Sequence, residues 1–134
     1  MLVIKPIESK EEQKEILSLC HIEYKEDLFA YKAHDNGSLL AAAQFDIKGE
    51  VAELDAMRQA EGTKEDFEGM FILGRAVLNF LDLCGVQSVV SRVTDEGERR
   101  LLKCIGFQEE NGLLSVSLTG MFDAKCDGHS GCSS

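Results

Sequence analysis

The chain has 134 residues, enough for one domain with a single hydrophobic core. Apolar residues make up 44% of it and proline occurs once, which suits an ordered globular protein rather than a linker or a disordered segment. The formal net charge of −10 argues against nucleic acid and anionic membrane as main partners, because both reward basic patches, and it favours the approach of a cationic amine.

The first residues, Met1 to Ile4, are apolar but are followed at once by Lys5 and Pro6. This is too short for a secretory signal or a membrane span, so the cytoplasm is the expected compartment. Leu2 to Pro6 reads as a strand. Ser9 and Glu12 form an S-x-x-E start for a helix running to about His21, with Ile16, Leu19 and Cys20 on one face.

Leu28 to His34 and Leu39 to Ile47 flank Asn36-Gly37, a strong hairpin signal because both residues tolerate positive φ. Lys48 to Glu50 turn the chain into a further strand, Val51 to Met57. Alternation there puts Val51, Glu53, Asp55 and Met57 on one face and Ala52, Leu54 and Ala56 on the other.

A polar loop, Arg58 to Thr63, then leads into a long helix predicted over Lys64 to Cys84. Thr63 with Asp66 gives a capping-box-like start, and Gly85 gives the left-handed stop. Glu68, Arg75, Asn79 and Asp82 form a narrow polar stripe, so most of this helix is expected to be buried, in part under a second layer or a partner such as another copy of the chain. Gln87 to Val93 is strand-like, which makes a βαβ unit with two parallel strands.

Asp95 and Glu98 open another helix, with Leu101, Leu102, Cys104 and Ile105 on its apolar face and Gly106 at its end. Phe107 to Glu109 and Leu113 to Thr119 form a closing hairpin around Asn111-Gly112. The order is β-α-β-β-β-α-β-α-β-β, an α/β fold with a mixed sheet. Cys20, Cys84 and Cys104 sit in predicted helices beside apolar neighbours, as reduced buried thiols do.

This order of elements over residues 2 to 119, with Cys84-Gly85-Val86 ending the long helix and Leu101 to Phe107 similar to an L-Y-x-x-x-G-F ending, resembles the GNAT acyltransferase superfamily. The resemblance implies acetyl-CoA entering between the fourth and fifth strands. It implies that backbone of Leu54, Ala56, Met57 and Arg58 holds the pantetheine arm and that the following loop holds the pyrophosphate at a helix N-terminus. It also implies a carboxylate base, for which Glu53 and Asp55, about 7 Å apart along one strand face, are the candidates.

The loop expected to read Arg or Gln, two residues, Gly, one residue, then Gly or Ala reads here Lys64-Glu65-Asp66-Phe67-Glu68-Gly69-Met70. Lys64, Gly69 and Met70 are its coenzyme candidates. Glu65, Asp66 and Glu68 put carboxylates at the same helix start, and each phosphate brought within about 6 Å of one costs about 1 to 3 kcal/mol. Leu102 stands where the family tends to have the tyrosine that protonates the leaving thiolate.

Residues 1–121 are thus expected to form a GNAT-like domain and 122–134 a tail with Cys126, His129 and Cys132 in C-x2-H-x2-C spacing. Two thiols and an imidazole suit zinc or another soft metal, though one ligand short of a closed site. Three functions follow from these residues: acyl transfer from acetyl-CoA to a small amine, a non-catalytic GNAT-fold binding module, or metal or thiol chemistry at the tail.

Overall fold

A computed structural model of the protein describes residues 1–122. The tail residues Cys126, His129 and Cys132 lie outside the described residues. Ten elements follow the order read from the sequence: β1 (Leu2–Pro6), α1 (Lys10–Leu19), β2 (Phe29–Asp35), β3 (Ser38–Lys48), β4 (Val51–Gln59), α2 (Phe67–Leu83), β5 (Ser88–Ser91), α3 (Glu96–Ile105), β6 (Gln108–Glu110) and β7 (Leu113–Ser117).

The strands form one sheet in the order β1-β2-β3-β4-β5-β7-β6, antiparallel throughout except for the β4–β5 pair. The two tight turns arise where expected, with Asn36 at φ 54° before Gly37 and Asn111 at φ 55° before Gly112. Strand β3 alternates from Ala41 to Phe45, after an extra residue, Leu40, in its pairing with β2. Ala41, Ala43 and Phe45 pack with Leu73, Val77 and Leu81 of α2, while Ala42 packs with Ile16, Leu17 and Cys20 of α1. The sheet therefore lies between α1 on one face and α2 with α3 on the other.

Strand β4 departs from simple alternation. Gln44 of β3 faces Ala56 while the next residue, Phe45, faces Leu54, so Asp55 is an extra residue in a β-bulge. The bulge puts Ala56 in the α1-side core and Met57 in the α2-side core, the reverse of the faces expected from period two. Glu53 and Asp55 stay together on the α1 side.

Helix α2 starts three residues later than predicted, at Phe67. Its N-cap is Asp66, whose Oδ1 accepts the Gly69 N–H at 2.9 Å. Thr63 is not a cap: its hydroxyl donates to the Ala60 carbonyl at 2.7 Å and accepts from Gln59 Nε2 at 2.8 Å. Of the predicted polar stripe of α2, Glu68 and Asn79 are exposed and Arg75 and Asp82 half-buried, and the apolar Phe67, Ile72 and Leu83 are exposed as well. Cys84 is exposed, against expectation, because the helix ends there and Gly85 at φ 92° turns the chain away. Cys20 is buried as expected, and burial pushes its thiol pKa up to about 11.

Candidate active site

The site grows out of a length mismatch. Strand β5 stops at Ser91, whose hydroxyl turns back to donate to the Leu54 carbonyl at 3.0 Å, while β4 runs on to Gln59. Beyond the Leu54–Ser91 pair the edge of β4 has no strand neighbour, and its backbone groups need other partners.

One of those groups is the Met57 N–H. It donates to Oε2 of Glu98, on α3, at 2.9 Å, and the other carboxylate oxygen lies 3.3 Å from Arg58 Nε. Asp95 caps α3 by accepting the Glu98 N–H at 2.9 Å, but the Glu98 side chain does not complete a capping box; it crosses to β4 instead. Glu98 is only 6% exposed. Burial raises its pKa, the Met57 N–H and Arg58 pull it back down, and Asp95 adds to the rise.

Around this contact lies a recess of about 250 Å³, walled by Met57, Phe67, Met70, Glu98 and Leu101 with Arg58 at its side. Sequence reasoning took Glu98 for a helix cap and missed this role. The signal was present: Glu98 falls at the same helical spacing as Leu101, Leu102 and Ile105, an acid in an apolar stripe.

On the other face of β4, two residues and about 7 Å along the strand, lies a second recess of about 210 Å³ lined by Lys25, Leu28, Asp46, Glu53 and Asp55. Asp55 Oδ1 binds the Lys25 ammonium at 2.7 Å and Oδ2 accepts from Gln44 Nε2 at 2.9 Å. Glu53 pairs with Arg92 at 2.8 Å. The fully buried Gln44 is the organiser here. Its Oε1 accepts from Gln13 Nε2 and from the Lys25 N–H, each at 3.1 Å, and its Nε2 also reaches the Glu23 carbonyl at 2.9 Å. That amide fixes the segment after α1 over the bulge, so the Lys25–Asp55 pair has a defined place.

The architecture is a seven-stranded mixed sheet with a parallel β4–β5 pair that parts beside a bulge, covered by three helices. Solved structures match it along nearly the whole chain. The ribosomal-protein-S18-alanine N-acetyltransferase from Escherichia coli superposes with a TM-score of 0.68 at 15% identity, over 88% of this chain and 94% of that one. The chain has the fold of the GNAT acetyltransferases.

A spermidine/spermine N-acetyltransferase from Vibrio cholerae gives a TM-score of 0.70 at 15% identity, covering 93% of this chain and 99% of its own. A Bacillus subtilis acetyltransferase solved in complex with CoA gives 0.67 at 15%, covering 87% and 99%. No protein-family model matches the chain, and no curated protein matches it in sequence.

Within this GNAT fold the candidate coenzyme residues separate. Met57, Arg58 and Met70 meet in the α2-side recess with Glu98. Leu54 ends the β4–β5 ladder, and Ala56 points to the α1 side. Lys64 lines a different recess, of about 350 Å³, between the loop and the start of β3. The Gly69 N–H is already taken by Asp66, and a Cβ on Gly69 would lie 2.8 Å from Asp66 Oδ2 and 2.9 Å from Leu40 Cδ2. The glycine makes room for the cap.

The loop itself is stapled by Gln59, whose Oε1 accepts the Asp66 N–H at 2.9 Å and whose Nε2 donates to the Lys64 carbonyl at 2.9 Å. Arg58 Nη1 holds the His21 carbonyl at 2.6 Å. For an acyl-CoA arm, the α2-side recess presents an apolar trough beside a strand edge without a strand neighbour, where the Met57 N–H is held by Glu98. Of the charged loop residues, Glu65 and Arg58 line this recess, whereas Lys64 and Asp66 line the one by the start of β3.

Leu102, where a tyrosine is implied, is 1% exposed and brings no hydroxyl. Tyr31 packs against Phe45 and Phe80, and Tyr24 packs on the α1-side core. Among the described residues no cluster of His, Cys, Asp and Glu has a metal-binding arrangement, and no helix is long and apolar enough to cross a membrane.

Proposed function

We propose that this GNAT-fold chain transfers an acyl group from an acyl-CoA to a small cationic amine. One observation carries it: the bulged end of β4, beyond its pairing with β5, directs the Met57 amide, held by Glu98, into a trough on one face and the Asp55 carboxylate into an acidic recess on the other. The coenzyme supplies an acyl group activated as a thioester. On this reading Met57, Arg58 and Met70, which line one recess, hold its arm, with Lys64 the cation of the loop beyond.

The acceptor side has a template in the chain itself. Lys25 presents a primary ammonium to Asp55 inside the recess, so the same carboxylate suits an incoming amine, holds it by a charge-assisted hydrogen bond and takes its proton, directly or through water. Glu53 and Asp46 add negative potential around it. The Vibrio cholerae neighbour, named for spermidine and spermine, makes a polyamine a sensible first acceptor to try.

A second reading, a non-catalytic binding module, draws on the hold of Glu98 on the Met57 amide. Thermal unfolding with acetyl-CoA and with free CoA separates the two. A specific site at a hundredfold excess over Kd adds about 2.7 kcal/mol. Saturable stabilisation, followed by amine-dependent thiol release that falls about a hundredfold or more in Asp55→Asn, supports acyl transfer. No shift up to millimolar coenzyme leaves the binding module.

A further inference from the structure

Glu98 is a buried acid in the trough that acyl transfer as proposed does not use. It also occupies a place an arm would need, because its carboxylate sits on the Met57 amide at the free edge of β4. Any ligand that binds β4 as an added strand must take that hydrogen bond away from it.

The consequence depends on the charge around Glu98. Arg58 faces it from β4, Asp95 from the start of α3, and Glu65 from the loop before α2; α2 itself contributes Phe67 and Met70, neither titratable. Burial, the largest effect, and Asp95 favour the neutral acid, while the Met57 N–H and Arg58 favour the ionised carboxylate. Losing the Met57 hydrogen bond removes part of the support, and an arm lying in the trough excludes water as well. Both changes favour the neutral acid.

We propose that an acyl-CoA arm enters this chain by displacing the Glu98 carboxylate from the Met57 amide, and that Glu98 takes up one proton from solvent as it yields. This rests on the acyl-CoA reading above. Loading is then proton-linked: relative to a variant that cannot ionise, affinity falls as pH rises between the free and loaded pKa of Glu98, by up to about tenfold per pH unit. Neutral Glu98 stays in the trough as a hydrogen-bond donor facing the arm, where the ionised form would repel a thioester carbonyl.

The experiment is a calorimetric titration of the full chain with CoA at pH 6, run in two buffers of different ionisation enthalpy, for wild type, Glu98→Gln and Glu98→Ala. The expected result is proton uptake by wild type beyond that of Glu98→Gln, with Glu98→Ala binding more tightly than wild type. Binding by Glu98→Ala but not by wild type also supports the displacement. Equal proton uptake and equal affinity in all three overturns it while leaving acyl-CoA binding intact. No heat with any of the three overturns the acyl-CoA reading, and the displacement with it. Thermal unfolding of each variant confirms that it is folded.

Discussion

The Met57 amide nitrogen stands 2.9 Å from Oε2 of Glu98, joining residues 41 apart in the chain at the point where β4 loses its strand neighbour. That hydrogen bond satisfies one backbone donor of the sheet opening and favours the ionised form of Glu98 against its burial. Its effects reach stability as well as binding.

The pKa of Glu98 is raised in the folded protein, so the native state binds this proton more tightly than the unfolded chain does. The associated stabilisation is present in full below the unfolded carboxylate pKa and is lost as pH rises through the folded value. Urea unfolding of wild type and Glu98→Gln between pH 4 and 8 measures it. The wild-type stability relative to the variant should fall with pH over the lower part of that range and then level off.

Gly69 acts through the Asp66 cap. Gly69→Ala should destabilise by about 1 to 2 kcal/mol, since the new methyl displaces the carboxylate that caps α2 and crowds Leu40. Asp66→Ala alone should cost about 0.5 to 2 kcal/mol. Denaturant unfolding of the double variant provides the check: if the glycine serves the cap, the two costs together come to less than their sum.

Gln44→Met keeps the volume and deletes four hydrogen bonds, to Gln13, Lys25, Glu23 and Asp55. The groups left behind are buried or partly buried, so a loss of about 2 to 4 kcal/mol is expected. Hydrogen exchange at the Lys25 amide should speed up by more than exchange in the centre of α2, because the segment after α1 loses its anchor while the α2-side core is untouched.

The three cysteines among the described residues should separate in a thiol-labelling time course of Cys126→Ser/Cys132→Ser protein at pH 8. Cys84 is exposed and should react first. Cys20, fully buried with its pKa pushed up to about 11, should react only as fast as the protein opens. Mass spectrometry of the partly labelled protein reads the order, and early modification of Cys20 would mean that α1 does not pack as described.

The element order, both Asn-Gly turns, the glycine stops of α2 and α3 and the parallel β4–β5 pair were all legible from the chain. Each depends on residues within a few positions of one another, or on a period that repeats along one element. The start of α2 was misplaced for the same reason. Thr63 and Asp66 are both good caps locally, and the choice between them was made by Gln59, which staples the loop and draws Thr63 away.

The sequence by itself determined which segments became helix and strand, which faces were apolar, and that two carboxylates would stand close together on β4. Only the tertiary structure decided what those groups do. The bulge at Asp55 depends on the register between β3 and β4, and it moved Met57 to the α2 side against the local alternation. The partners of Glu98, Gln44 and Lys25 come from other elements, 41, 31 and 30 residues away. A buried polar group must find its hydrogen bonds wherever packing places them, and that placement is a property of the assembled sheet.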